Sequence, residues 1–574
     1  MCEEFRFLRL LKVTSGVRGS LTCWVVGWLL AGCGGPSERP GKGSFVYNEA
    51  EGITTLDPAH MSYVSAIWVG TQLYNGLVEL DTALRIVPCL ARSWSVDASG
   101  RRWRFVLRTD VFFHNDPCFR GQPRRLRAAD VKFSFERICD ARTRSPGLWV
   151  FWGKVVGVEE FHAKTARGEV PAEGVRGIRV LDDSTVLIEL QRPFAPFLAL
   201  LTTPYCWIVP EEAVRFYGED FFRHPVGTGP FRLQEWKSDV RLVLVRNQHY
   251  FKRDHRGRPL PYLDSVVVRF LRDQKTAFWE FQQGRLDMVS GLDPSLVPAV
   301  LTPEGTLRPE FSRYQLLTAP AYAVEYYGIM LDTTTEGGRT SPLARSRLLR
   351  QALNYGIDRE RIIRHVLHGS AEPAHYGVIP PGFPGFSLQT VGYRYDPERA
   401  RQLLAAAGYP GGKGLPPLVL QLGMHPRTLS VAEAVQQQLR ELGLRVELRQ
   451  LNFPQHLSMV REGRSMFWRT NWIADYPDPE NFLSLFYSPY RAPQGPNTTR
   501  FRSPEVDSLY ERALSEADTA RRFQFYRQME RIVLEEAPWV FLYYPRLIRL
   551  VQPAVRGMRL DGSDRLLLEW VSKE

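Results

Sequence analysis

The residues best placed to do chemistry lie in the stretch Trp472-Ile473-Ala474-Asp475-Tyr476-Pro477-Asp478-Pro479. An apolar run, Met466-Phe467-Trp468, leads into it, and two prolines close it. This pattern predicts a strand that ends just before Asp475, with Trp472 and Tyr476 flanking the carboxylate. A carboxylate between aromatic walls suits recognition of a cationic group, and in a dry site such a pair is strong only when its hydrogen bonds are complete. The competing reading makes Asp475 and Asp478 turn formers, a common use of Asp and Pro. Local sequence leaves both open.

Nothing around this stretch makes or breaks bonds. There is no phosphate-binding Gly/Lys loop, no dinucleotide fingerprint after a strand, and no serine elbow. His365 and His368 lie three apart on a predicted helix, but no further ligand can be nominated, so a helix-end role is expected and no metal site. Asp130 and Asp287 read as capping or structural residues. The expectation is a binding protein rather than an enzyme, with no cofactor.

The chain has 574 residues, which at ~150 residues per domain corresponds to three or four lobes. With 44% hydrophobic residues and 14 Trp, a large core can be buried. The net charge is +12 and the pI about 9.3. Basic residues are nevertheless mixed with acidic ones throughout, and the densest run, 120–132, is broken by Gly, Pro and Ala. No basic block alternates with stacking aromatics, so a solvated basic surface is expected and no nucleic-acid partner.

Arg6, Arg9, Lys12 and Arg18 precede an apolar segment, residues 21–31, too short for a comfortable bilayer span. It ends in Leu30-Ala31-Gly32-Cys33, which resembles the bacterial lipoprotein cleavage box, with Cys33 the lipidated first residue of the mature chain. The expectation is a signal peptide over 1–33, a Gly/Pro/Ser-rich tether over 34–43, and an extracytoplasmic, lipid-anchored monomer. Cys89, Cys118, Cys139 and Cys206 remain after cleavage, and four cysteines allow three pairings among which sequence cannot choose.

The elements that must position Asp475 follow in order. A strand at 44–48 leads to Leu56-Asp57-Pro58; Trp103-Arg104-Phe105-Val106-Leu107-Arg108 alternates as a half-buried strand. Residues 128–137 open a helix with Val131, Phe135 and Ile138 on one face. Further on, Ser341-Pro342, Asp358, Asp396-Pro397 and Ser430-Val431-Ala432-Glu433 read as helix starts, the last as a capping box. Alternating helices and strands here predict an α/β lobe.

Tyr74-Asn75-Gly76-Leu77, Pro225-Val226-Gly227-Thr228-Gly229-Pro230-Phe231, Leu244-Val245-Arg246-Asn247, Gly284-Arg285-Leu286-Asp287 and Arg350-Gln351-Ala352-Leu353-Asn354-Tyr355, in this order, carry a resemblance. From residue 44 to the C-terminus the chain resembles the dipeptide/oligopeptide-binding family of solute-binding proteins that serve ABC importers. The resemblance implies an α/β, periplasmic-binding-protein-like two-lobe clamshell of the large kind with an inserted lobe. Lobe I would comprise 44–77, 186–317 and 546–574, the inserted lobe II 78–185, and lobe III 318–545. It also implies a peptide ligand and ABC permease subunits as partners.

In this family the Asp of a Trp-x-x-Asp segment pairs with the ligand's α-ammonium; Asp475 is the matching residue and Trp472 the wall beside it. Phe453 matches another pocket aromatic, with Tyr63 and Val64 matching a loop on the ligand backbone; core packing is the alternative for Phe453 and Val64. Dipeptide-specialised members place an Arg near the start of the helix expected here at Ser430. Arg427 lies slightly upstream of that start, which favours oligopeptides over strict dipeptides. Rival readings within the fold are a nickel chelate, haem, an oligosaccharide or an opine; outside it, a ligand-sensing lipoprotein without transport.

Overall fold

The computed structural model describes residues 43–574 except positions 51 and 294. The signal segment, Cys33 and the tether through residue 42 lie outside the described residues.

One strand organises the rest. Trp539–Val551 runs for 13 residues and is largely apolar. Its first half pairs antiparallel with Ala323–Ile329, and at its middle it pairs with Ala371–Pro373. Its second half pairs antiparallel with Gln315–Pro320 and Met288–Ser290. It thereby joins two groups of strands. On one side stand Ala323–Ile329, Phe467–Ile473, Leu418–Gly423 and Val446–Leu451, in that order. On the other stand Met288–Ser290, Ser44–Asn48, Ser265–Arg269, Arg241–Arg246 and Phe231–Lys237. The passage between the groups is marked chemically: Pro320 pairs with Arg546, and the Ala321 N–H donates to the Pro545 carbonyl at 2.8 Å. Both crossing strands carry a proline there, and proline supplies no N–H to a ladder.

A separate antiparallel sheet, in the order Ala91–Val96, Arg102–Leu107, Thr185–Glu189, Ile178–Asp182, forms the body of the inserted segment. The boundary expected at 185/186 falls inside one of its strands, so sheet membership carries the insert to Glu189. Helix Ala128–Cys139 packs on it with Val131, Phe135 and Ile138 buried, as the spacing predicts.

Local signals account for most element ends. Asp358 accepts from the Arg361 N–H and Asp396 from the Arg399 N–H. Two starts differ from expectation. Ser341 makes no capping bond; the short helix Pro342–Arg345 breaks, and Ser346 caps Arg347–Tyr355 instead. Ser430 is interior to a helix that begins four residues earlier, Pro426–Glu441, where Pro426 occupies the first turn that suits a residue without an N–H. Arg427 therefore lies at the helix start, and the offset that favoured oligopeptides disappears. All four described cysteines are free thiols, with Cys118 half-buried and the others buried.

The Pro225–Phe231 motif has a steric reason. A Cβ on Gly227 would fall 2.1 Å from the Leu73 carbonyl oxygen, and one on Gly229 2.4 Å from the Leu73 carbonyl carbon. Only glycine lets this turn press on the end of helix Val64–Leu73. The C-terminal tail returns to the same helix, where Trp68 donates to the Asp564 carbonyl and Gln72 to that of Leu566. Asp287 accepts from the Val46 N–H and pairs with Lys573, a structural use as expected.

The turn ahead of Tyr63 is held by the insert. Arg137, on helix Ala128–Cys139, forks onto both oxygens of buried Asp57 at 2.6 and 2.5 Å. Burial pushes the Asp57 carboxyl up, but the Arg137 and His60 bonds outweigh it and hold the group well below the usual carboxylate range. Stability from this pair is present above the unfolded carboxyl pKa and is lost as pH falls through the depressed folded value. Arg137→Met should cost about 3 kcal/mol in urea unfolding at pH 7, because it strands a buried charge. Asp57→Asn combined with Arg137→Met should recover part of that loss.

Glu530 titrates with the opposite sign. It lies buried on helix Thr519–Glu536 and accepts from the Val378 and Ile379 N–H groups at 2.9 and 3.0 Å. Burial pushes its carboxyl up to about 7, against the pull of those two bonds. A raised acid favours the folded state at low pH and loses that advantage as pH rises from the unfolded value toward 7. Unfolding free energy should therefore fall between pH 4.5 and 7 by about 3 kcal/mol more in the wild type than in Glu530→Gln, measured by denaturant titration.

Candidate functional site

Strands Leu418–Gly423, Val446–Leu451 and Phe467–Ile473 lie side by side, the first parallel to both others, and end at one edge. In open α/β sheets the carboxyl ends of parallel strands are where ligands are met. Asp475 stands two residues beyond the last of these strands.

Three carboxylates follow within six residues, and their surroundings separate them. Asp478 is buried and accepts from Arg522 at 3.2 Å. Glu480 is buried and receives the hydroxyls of Tyr476 and Tyr510, one on each oxygen. Asp475 has one side-chain partner, the Asn481 amide, which donates to it at 3.3 Å, and among the described residues it joins no ion pair. As a residue Asp475 is open to solvent, yet its carboxyl is hemmed in by protein. That burial raises its pKa, and the Asn481 bond offsets the rise only in part.

Asn481 organises the group. It is 3% exposed, and its carbonyl oxygen accepts both the Trp472 indole N–H at 2.8 Å and the Asp475 backbone N–H at 3.3 Å. One amide thus sets the ring and the carboxylate together. Two aromatics from elsewhere complete the surroundings. Trp149 stacks on Tyr476 with centroids 5.9 Å apart at 26°, and Tyr205 meets Trp149 edge-on at 6.4 Å. Burial and the Asp475 charge push the Tyr205 phenol up to about 12.

The structure links Trp472 and Asp475 through Asn481, while Tyr476 turns its hydroxyl to Glu480 and its ring to Trp149. Phe453 starts helix Phe453–Arg461 with its ring over Gly423; it is 64% exposed, so it is not core. Tyr63 and Val64 open helix Val64–Leu73, also exposed and also not core. Neither pair of elements bonds to the Asp475 group among the described residues. Tyr327 pairs with Arg469 and Glu325 with Asn471, so those side chains oppose the Trp472 face. There Glu325 and Arg469 form a buried bridge at 2.6 Å, and the Arg427 charge helps draw down the burial-raised Glu325 carboxyl.

Asn481, Trp149 and Tyr205 were not legible as site residues. Asn481 reads as one more polar residue after a turn, and the other two lie about 270 to 330 positions away in sequence. A surface cavity of about 470 Å³ beside Arg246 and Pro261 is a poorer candidate, because its charges, Arg246 and Asp264, pair with each other at 2.9 Å.

Known proteins resemble this chain over most of its length. The Escherichia coli dipeptide-binding protein is 26% identical over 511 residues, 88% of this chain and 89% of that protein. Heme-binding protein A of Haemophilus influenzae is 27% identical over 539 residues, 90% and 89% of the two chains. Among solved structures, the Helicobacter pylori ABC transporter-associated periplasmic binding protein DppA, in complex with the peptide STSA, is 25% identical. It superposes with a TM-score of 0.72 over 93% of this chain and 98% of that one, which carries the two-lobe α/β clamshell expected from the sequence. The family description "Bacterial extracellular solute-binding proteins, family 5 Middle" matches residues 85–494, and the chain belongs to that family.

Proposed function

We propose that this protein captures peptides outside the cytoplasm and delivers them to an ABC import permease, without chemistry of its own. The observation that carries the reading is Asp475, a desolvated carboxylate with a single amide partner among carboxylates that are otherwise satisfied. An ammonium group is the complementary ligand, since a charge-assisted pair in a desolvated site gains what Asp475 lacks. Haem, which a relative's name records, presents carboxylates that Asp475 would repel.

In this reading lobe I (44–77, 186–317 and 546–574) and lobe III (318–545) close on the peptide about the two proline-bearing crossings. The insert, begun at 78, lies beside them. Closure is favoured only by contacts the closed state adds. Asp475 fixes register through the ligand's amino terminus, with Trp472 and Tyr476 as walls. Exposed Tyr63, Val64 and Phe453 line the path of the ligand, and Arg427, at its helix start, serves a carboxylate end. Backbone bonds supply affinity, and wet pockets admit varied side chains. The protein acts as a monomer held to a membrane by lipid on Cys33.

Native mass spectrometry of the purified protein tests this. Peptide masses should leave the wild type on partial unfolding and be absent from Asp475→Ala; a single non-peptide mass, or identical cargo in the variant, overturns the ammonium assignment. Asn481→Ala, which frees the carboxylate and the Trp472 ring together, should weaken peptide binding about tenfold, equivalent to about 1.4 kcal/mol. Affinity should also fall as pH drops through the raised Asp475 pKa, earlier than an ordinary carboxylate would lose its charge, and Asp475→Asn should abolish that dependence.

A further inference from the structure

Gly43, where the described chain begins, is held firmly at one edge of lobe I. Its carbonyl accepts the Asp264 and Ser265 N–H groups at 2.8 and 3.3 Å, and a Cβ there would fall 2.0 Å from an Asp264 carboxylate oxygen. Ser44, Ser265, Val245 and Arg232 then stand in one row across four neighbouring strands. The last of them, Phe231–Lys237, is an edge of the large sheet. At ~4.8 Å per strand, Arg232 lies about 15 Å from Ser44. Along this row opens the cavity of about 470 Å³, walled by Arg232, Gln248, Pro259 and Pro261 and, as noted, a poor site for a peptide.

The charges along this edge do not balance. Asp264 is spent on Arg246 at 2.9 Å, and buried Asp254, in the adjoining loop, on Arg258 at 2.7 Å and the Tyr262 hydroxyl at 2.6 Å. Three exposed arginines remain. Among the described residues Arg232 and Arg256 make no side-chain bond, and Arg253 donates only to the Gly257 carbonyl. Arg253 also bridges to Pro259, which sets the base of the basic loop at the cavity wall. Reach supplies the second constraint. Cys33 stands ten residues before Gly43, a link of at most ~35 Å when fully extended. A folded body the size of residues 43–574 is on the order of 60 Å across. Lipid on Cys33 therefore holds this edge, and not the far one, against a bilayer.

We propose that the cavity beside Arg232 and the loop carrying Arg253 and Arg256 form a docking surface for an anionic phospholipid bilayer, with a headgroup phosphate taken by the Arg232 guanidinium. An arginine fork meets phosphate oxygens with paired N–H donors, and each cation near an anionic bilayer strengthens attachment roughly fivefold. The proposal rests on the reading of Cys33 as a lipid anchor and extends it. Acyl chains hold the protein to the membrane, and the arginine edge decides which way it faces. The surface is separate from Asp475, which follows a strand in the other group of the large sheet.

The test uses the mature lipidated protein in phosphatidylcholine vesicles, with or without added phosphatidylglycerol. A benzophenone amino acid replaces exposed Gln248 at the cavity or, as control, Glu447 on the opposite edge strand of the sheet. Photolysis and mass spectrometry should find phosphatidylglycerol joined to position 248 and not to position 447. Arg232→Gln combined with Arg256→Gln should lower that yield roughly 10- to 30-fold, as should molar salt, while the acyl chains keep the protein on the vesicles. No capture at 248, equal capture at 447, or a yield at 248 that the double variant leaves unchanged overturns the docking surface, and the anchor stands. Capture of phosphatidylcholine as readily as phosphatidylglycerol overturns the choice of an anionic headgroup, and the surface with it. A Cys33 without acyl mass overturns the anchor reading itself, and the surface falls with it whatever the photolysis shows.

Discussion

The structure depends on the continuity of one antiparallel ladder. Trp539–Val551 is the strand that both halves of the large sheet share, and it changes partners near Pro545. Before that point its neighbours are Ala323–Ile329 and, through it, three further strands, one of which, Phe467–Ile473, ends just before Asp475. After it the neighbours are the strands that begin at Ser44. The two halves therefore share a backbone but little ladder at the crossing, where prolines at 320 and 545 withdraw two donors. A joint of this kind resists shear along the strands while leaving rotation about them comparatively soft. That combination suits a clamshell, since closure requires rotation without any change of register.

Beyond the strand end at Ile473 three carboxylates differ in their partners. Burial raises the pKa of Asp475, Asp478 and Glu480 alike, so desolvation alone does not distinguish them. Their partners do. Arg522 meets Asp478, and two tyrosine hydroxyls meet Glu480. Those two satisfied groups build the wall: Glu480 fixes Tyr476, and Asp478 ties the turn to helix Thr519–Glu536. Asp475 receives one neutral amide, enough to orient it and too little to neutralise it.

This division also explains what could be read from sequence. The strand end before Asp475, the apolar face of helix Ala128–Cys139 and the caps at Asp358 and Asp396 all rest on neighbours within a few positions, and local chemistry was sufficient for them. Ser430 failed because a capping-box pattern does not reveal that Pro426 can start the same helix a turn earlier. Ser341 failed similarly, since Ser346 offers the same oxygen closer to the helix that packs. Asp475 and Asp478 were indistinguishable as turn residues because the groups that separate them, Asn481 apart, lie on other elements. Trp149 and Tyr205 carry no local signal at all; their relevance arises from how the insert is seated.

That seating gives the insert a mechanical place in the molecule. Arg137 and Ser145 come from one short region of it, and both reach the turn around Asp57 and Ala59 that precedes Tyr63. Trp149, four residues past Ser145, meets Tyr476 on the opposite side. The same rigid segment thus touches the turn leading to one exposed helix start and the wall beside Asp475. Across the same divide the Ala195 N–H donates to the Leu514 carbonyl at 2.7 Å, and the Glu480 charge favours the charged form of Lys154. Burial meanwhile lowers the Lys154 pKa to about 8, so this lysine retains its proton at neutral pH with help from a carboxylate on the facing element. Displacing the insert from Tyr476 would separate that lysine from Glu480 and expose Trp149 at once. One aromatic stack therefore ties the insert to the turn that follows the strand carrying Asp475.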